Sequence, residues 1–290
     1  MDISQFDYAP LALAFTHVVV GVVVLVVAKL IRGLLSPYSI DQELTERDNP
    51  AFGLAVAGYY AATVIVYLGA AAGAPLPLDE GTTGVVRQLG FDVAWAFGGI
   101  LALNASRWWM DRLLVSGTRN DQEIKNNRNA AAGVLECGAF IASGLVLAGA
   151  IRQPGGSVWT TIALFVLAQL ALIAAARLYQ LWAGYRLSDE IRNGNIAAGA
   201  AFAMTLIAIA LLMMKATSGE FVGWAWNLGF FAFDAITGFV MLLGLRWVTD
   251  LVLLPNARIS EEIARDHNIN AGLIEGVLAM GIAAIILFLF

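Results

Sequence analysis

Four times in this chain the same phrase returns: a glutamate followed by an aliphatic residue, then an asparagine, then a glycine. It reads Glu43-Leu44, Asn49, Gly53; then Glu123-Ile124, Asn129, Gly133; then Glu190-Ile191, Asn195, Gly199; then Glu262-Ile263, Asn268, Gly272. The step from Glu to Gly is ten residues in the first, second and fourth copies and nine in the third. Repetition at a near-fixed period constrains a fold strongly, because each unit has to adopt the same local structure and stack on its neighbour.

Each phrase lies between two long apolar stretches. With 59% hydrophobic and 13% charged residues, the chain holds about half the charge of an ordinary soluble domain. Eight stretches approach the ~20 residues that a bilayer-crossing helix needs, at roughly 10–31, 50–73, 89–106, 129–151, 157–178, 195–214, 227–245 and 269–290. Their Ala, Gly, Val, Leu and Ile show no alternation of period two, so they predict helices and not a barrel. The start, Met1-Asp2-Ile3-Ser4-Gln5-Phe6-Asp7, is acidic and lacks a basic region, which predicts a retained first helix and no cleaved signal peptide. One cysteine, Cys137, sits within an apolar stretch and predicts packing, since a single thiol offers neither a disulfide framework nor a cysteine metal site.

Basic residues set the expected orientation. The loops inside the four hairpins and their flanks hold 14 of the 17 Lys and Arg, leaving Arg87, Arg152 and Lys215 for the other side. An excess of this kind marks the cytoplasmic face, so both termini are expected outside. The net charge of −5, with acids such as Asp41, Glu43 and Asp121 interleaved among the bases, gives no nucleic-acid footprint.

Because each unit has two spans, all four share one orientation and are parallel repeats, not inverted ones. Units two and four align without a gap at an offset of 139 residues: Leu89-Gly90-Phe91 with Leu228-Gly229-Phe230, Gly99 with Gly238, Arg107-Trp108 and Asp111 with Arg246-Trp247 and Asp250, and Glu136 with Glu275. Units one and three match more loosely, through Ala28-Lys29-Leu30 and Ala176-Arg177-Leu178. The expected architecture is an all-α membrane protein with eight transmembrane helices. Four parallel two-helix repeats form two four-helix modules, 1–152 and 153–290, related by a pseudo-twofold axis.

In these features the chain resembles the YjfL-like bacterial inner-membrane family, classed as domain of unknown function 350. The resemblance rests on the hairpin with its short loop, on Glu-Ile, Asn and Gly entering the second helix, and on the four-span module used twice. It implies a multi-pass protein of the bacterial inner, or plasma, membrane, and it brings no catalytic or ligand residues with it.

The repeated residues have structural readings. Asn is a preferred N-cap, and Pro50 directly after Asn49 suits a first helical position. The leading Glu reads as a solvated loop acid or as the partner of a basic residue on a neighbouring hairpin. Three residues past the Gly, units two and four carry Glu136 and Glu275 where units one and three carry Val56 and Phe202. At 1.5 Å per residue these acids lie about 10 Å inside the helix start, on one face with Asn and Gly. Acids at such a depth are costly and mark functional candidates, with helix-to-helix hydrogen bonding as the structural alternative. Asp92 and Asp234 are further intramembrane acids, entering from the opposite side. Arg107 with Asp111, and Arg246 with Asp250, have the spacing of an ion pair on one helix, beside Trp108, Trp109 and Trp247 of an interfacial aromatic belt. His17 and His267 lack companions at ligand spacing, so no metal is expected, and no cofactor.

No H-E-x-x-H, G-x-S-x-G, C-x-x-C or Walker loop occurs, and the hydrophilic loops are too short for a soluble catalytic domain, so the chain is not expected to be an enzyme. Two functions are compatible with these residues. One is a conduit or binding site for a cation, proton or small solute at the module interface, using Glu136 and Glu275. The alternative is a non-catalytic scaffold or accessory subunit that docks a membrane partner through its loops. The lipid bilayer is the expected surrounding, and self-association is compatible with a twofold design.

Overall fold

A computed structural model of the chain describes residues 9–36, 38–72, 81–114, 120–253 and 258–289. Among these residues eight helices are long and apolar enough to cross a membrane. They are α1 (Ala9–Leu35), α2 (Pro50–Ala71), α3 (Gly81–Leu113), α5 (Ala130–Arg152), α6 (Val158–Trp182), α8 (Ile196–Thr217), α9 (Trp224–Leu253) and α11 (Ile269–Leu289). Between the two spans of each hairpin lies one short helical turn. It is π-helical at Gln42–Glu46 in the first unit, and in the others it is α4 (Asn120–Lys125), α7 (Leu187–Arg192) and α10 (Ile259–Ala264).

Two expected spans prove longer than hydropathy alone suggests. The stretch 89–106 belongs to α3, 33 residues long, and 227–245 belongs to α9, of 30 residues. Polar residues at their ends depress hydropathy without breaking the helix. Arg107 and Asp111 remain on one face of α3, 3.9 Å apart, as their spacing predicts. The side chains of Arg246 and Asp250 lie outside the described residues.

The second helices of the four units form the core. They stand side by side in the order α2, α5, α8, α11, each packed along its length on the next. The first helices flank them, each from the second unit on resting on its own unit's inner helix and on the preceding one: α3 on α2 and α5, α6 on α5 and α8, α9 on α8 and α11. Burial is greatest in the middle of the row and falls toward its ends. The central window of α8 is 78% buried, whereas that of α1 is 11% buried.

Small residues allow this closeness. A Cβ on Gly133 would stand 2.4 Å from the Ala51 carbonyl oxygen, one on Gly199 2.8 Å from that of Ala131, and one on Gly272 2.5 Å from that of Ala197. The glycine of the second, third and fourth phrases therefore lies against the backbone of the preceding unit, two residues past that unit's Asn. Deeper in the bundle the pattern holds, with Gly58 against Cys137 and Gly138 against Ala203. Close backbone approach of this kind supplies the dispersion contacts that hold helices together where lipid removes the hydrophobic drive.

The four inner helices thus make a row rather than a closed pair of modules. A twofold axis relating the modules would carry the α5–α8 contact onto an equal α11–α2 contact, and no such packing appears among the described residues. The reason lies in the helix faces: each step joins the forward face of one unit to the backward face of the next, so the contact is heterologous and does not close on itself.

Candidate functional site

The repeated phrase is a loop-and-cap device. In all four units the Asn backbone N–H donates to the carbonyl of the leading Glu: Asn49 to Glu43 (3.1 Å), Asn129 to Glu123 (2.9 Å), Asn195 to Glu190 (3.0 Å) and Asn268 to Glu262 (2.9 Å). The residue before each Asn is left-handed, at φ 45° for Asp48, 51° for Arg128, 74° for Gly194 and 52° for His267. That turn ends the short helix and aims the Asn at the start of the next. Each Asn side-chain oxygen then accepts from the first turn of its inner helix, for example from Ala131 and Ala132 at Asn129 and from Ala198 at Asn195. An N-cap of this type is worth about 1 kcal/mol.

The amide end of the same Asn reaches further. Asn49 donates to the Ile124 carbonyl (3.0 Å), Asn129 to that of Ile191 (2.6 Å) and Asn195 to that of Ile263 (2.7 Å). Each acceptor is the aliphatic residue of the next unit's phrase, so the four loops are tied in sequence into one edge. The leading Glu closes the device in three units, its Oε2 accepting from its own Asn in Glu123 (3.1 Å), Glu190 (2.7 Å) and Glu262 (2.9 Å). Glu43 instead binds Arg47 within its own loop, at 2.6 Å. These glutamates mainly brace their own loops, and Glu190 also faces His267 of the next loop at 3.7 Å.

Glu136 is the centre of a buried charge cluster. It is 3% exposed, one face of α5 turned toward α3 and α1. Arg107 of α3 donates from Nε to Oε1 at 2.7 Å, and Arg32 of α1 stands 3.6 Å from the same oxygen. The Arg32 guanidinium lies over the rings of Tyr59 and Phe140, 5.5 and 5.3 Å from their centroids, and donates to Asn104 at 3.3 Å. Asn104 donates to the Tyr59 hydroxyl, which donates to the Ala28 carbonyl. The polar groups of α1, α2, α3 and α5 converge there. Two guanidiniums on one carboxylate satisfy its charge, which is the condition on which a buried acid is tolerated. Oε2 of Glu136 has no hydrogen-bond partner among the described residues. It borders a cavity of about 10 Å³ that Ser106, Asp111 and Ser143 also line, room for roughly one water.

Glu275 is buried in the second module beside a phenol. It is 5% exposed on α11, and Tyr179 of α6 donates its hydroxyl to Oε1 at 2.5 Å. Thr205 of α8 stands 3.5 Å from that hydroxyl. Tyr59 and Thr205 occupy the same place in units one and three, ten residues past the Asn. Glu136 is thus held by Arg107 of its own unit and Arg32 of the other, and Glu275 by Tyr179 of the other unit of its module.

The structure does not bring Glu136 and Glu275 together. They lie on α5 and α11, with α8 between, and both face their own module, not the seam between modules. The other two acids are apart as well. Asp92, 1% exposed on α3, accepts from Gln88 at 2.8 Å, and Asp234 of α9 pairs with Lys215 of α8 at 3.0 Å. His17 shares a hydrogen bond with the Tyr67 hydroxyl at 2.9 Å, and no group of three His, Cys, Asp or Glu side chains converges as a metal site among the described residues. Sequence reasoning missed Arg32, Tyr59, Asn104 and Tyr179. The one available signal was Arg32 itself, an arginine at the very end of an apolar span.

No curated protein and no solved structure matches this chain. The sequence profile of a domain of unknown function does match, once over residues 6–151 and again over 155–289, so the boundary falls between α5 and α6, and one copy holds Glu136 and the other Glu275. Two four-span units in tandem, each closed around its own acid, make this membrane-type helical chain a member of the DUF350 family.

Proposed function

We propose that this protein is a non-catalytic membrane scaffold, which presents four loops in fixed register on one face of the bilayer. The observation that carries the reading is the hydrogen-bonded sequence from Asn49 to Ile124, Asn129 to Ile191 and Asn195 to Ile263, which locks the loop edge into one body. The basic excess assigns that edge to the cytoplasm and the termini to the outside of a bacterial inner membrane. The exposed side chains of the edge, among them Glu46, Gln122, Arg192 and Glu261, are what a partner would meet, since the repeated glutamates are engaged inside the loops.

A second reading, passage of a proton or small cation, draws support from the unpartnered Oε2 of Glu136 and the small cavity beside it. Against it weigh the two arginines on that carboxylate, which repel a cation, and the separation of the two acids.

Photo-cross-linking in living cells separates the readings. A photoreactive residue placed at Glu46, Gln122, Arg192 or Glu261 is expected to trap a protein of the same mass from several loops. Cells without adducts at any of the four positions would sink the scaffold. So would a cation flux in proteoliposomes that the Glu136→Gln, Glu275→Gln double variant abolishes while remaining folded.

A further inference from the structure

The row of inner helices has two unused ends, and their faces complement each other. We infer that copies of this protein associate head to tail, with α11 of one copy seated against α1 and α2 of the next, repeating between chains the step made three times within each chain. This goes beyond the scaffold reading and does not depend on it, because it follows from the packing alone.

Every device of the internal step is present in half at each end. Asn129 and Asn195 use their amide nitrogens twice, on their own Glu and on the next unit's Ile carbonyl, whereas Asn268 at the far end bonds Glu262 alone among the described residues. Leu44, in the place of Ile124, Ile191 and Ile263, has no preceding unit to offer it an Asn. Gly133, Gly199 and Gly272 are pressed on a neighbour's backbone, but a Cβ on Gly53 would meet only Leu44 of its own loop, at 3.8 Å.

The outer helices show the same incompleteness. From the second unit on, each has two inner helices to rest on, but α1 rests on α2 alone among inner helices. Between α1 and α2 a groove of about 510 Å³ is left open, lined by Val18, Val22 and Leu25 on one side and Val64, Tyr67 and Leu68 on the other. In the later units the matching space is filled by the preceding inner helix. For the first unit, that helix would be α11 of another copy.

Side-chain sizes fit this occupant. Within the chain, Gly58 meets Cys137, Gly138 meets Ala203 and Met204 meets Gly276, the last pairing a large residue with none. Carried one step further, the same register places Val277 against Ala57, Gly281 against Val64 and Asn270 against Gly53. The last two pairs keep a glycine on one side, as every internal pair does; Val277 against Ala57 has none, so the helices of two copies stand further apart at that level than Met204 and Gly276 do within the chain. Val277 is 55% exposed, and Ala57, Gly281 and Asn270 are exposed as well. A heterologous contact of this kind generates a ring where the rotation closes and a linear array where it does not.

Cysteine cross-linking in the native membrane tests the inference, with Cys137→Ala as background because Ala occupies that place in unit three. A chain bearing both Ala57→Cys and Val277→Cys is expected to give a ladder of disulfide-linked multimers on oxidation. Co-expression of two chains, one with each substitution, should give dimers and nothing larger. Within one chain α5 and α8 stand between the two positions, so the bond has to join separate copies. Monomer throughout would overturn the inference, and so would self-linking by either single variant as efficient as the double, which signals a face packed on itself. Mass measurement of the unaltered protein in lipid nanodiscs guards against misfolding of the variants. Whole multiples of 30.9 kDa are expected, and Gly281→Leu should reduce them to single copies with unchanged helix content. A single copy of the unaltered chain in those discs, with lipid on both end faces, would equally overturn it.

Discussion

At the scale of single residues the repeated Asn has three tasks: it caps a helix, donates to the Glu of its own unit and donates across to the next unit. Only the first of these is legible in the sequence, because capping follows from residue type and position. The cross-unit bond ends on a backbone carbonyl, and any residue offers one, so nothing in the side chains announces it. The tasks separate by position along the row. Asn195 is 1% exposed and has all of its contacts, while Asn268 is half-buried and lacks the cross-unit bond. Replacing Asn195 by Ala removes a cap worth about 1 kcal/mol and also leaves the Ile263 carbonyl without its buried donor, a further loss of roughly 1–3 kcal/mol. Asn268→Ala loses the cap and the bond to its own Glu262, the counterpart of the Glu190 bond that Asn195→Ala also loses, but no cross-unit bond. Thermal unfolding of the two variants in the same detergent should therefore show a larger drop for Asn195→Ala, by about the 1–3 kcal/mol of the orphaned carbonyl; equal drops would mean that the cross-unit bond contributes nothing.

At the scale of elements, the acids of the even units were visible as acids and invisible as clusters. Glu136 stands out by its depth in α5, but its partners come from α1 and α3, and pairing between helices is not written into the spacing within one helix. Arg32 and Arg107 place two positive charges on one carboxylate in a setting where water is scarce. Removing the acid takes the nearest counter-charge from Arg32 and leaves Arg107 to Asp111, 3.9 Å away, and breaking a buried pair in this way costs about 3–5 kcal/mol. Glu136→Gln is expected to destabilise strongly, by an amount in that range. Arg107→Gln should do less, because Arg32 remains to balance Glu136. The double variant Glu136→Gln, Arg107→Gln should recover part of the loss, and a double-mutant cycle from unfolding measurements reads the coupling directly. Additive losses would show that the two side chains are screened from one another. The same local logic explains why the Glu of the loop phrase gave little away from sequence alone. A surface acid and an internal loop staple look identical until the Asn beside it is seen to donate to it.

At the scale of the whole molecule, hydropathy and the repeated phrase were enough to foresee eight spans in four parallel hairpins, since both follow from local composition. The row was not foreseeable, because a repeat defines the unit and says nothing of the step from one unit to the next. The twofold pairing of modules was a natural expectation for a duplicated domain, and it fails because small residues on opposite faces of each inner helix favour a step that continues over one that closes. The seam between modules is then one more copy of the internal step, made of the same contacts as those inside a module: Gly138 on Ala203, Gly199 on Ala131, and Asn129 on the Ile191 carbonyl. Each module also encloses its own acid cluster, so nothing essential to either core crosses the boundary between α5 and α6 except this seam and the flanking contacts of α6. Chains 1–152 and 153–290 expressed together from separate genes are therefore expected to reassemble in the membrane and co-purify. Gly138→Leu should abolish that reassembly, since even a Cβ there would stand 2.6 Å from the side chain of Ala203. Gly90→Leu, on an outer helix where a Cβ would meet no atom within 4 Å, should leave it intact. Co-purification that survives Gly138→Leu would place the cohesion of the halves in α6 and not in the row.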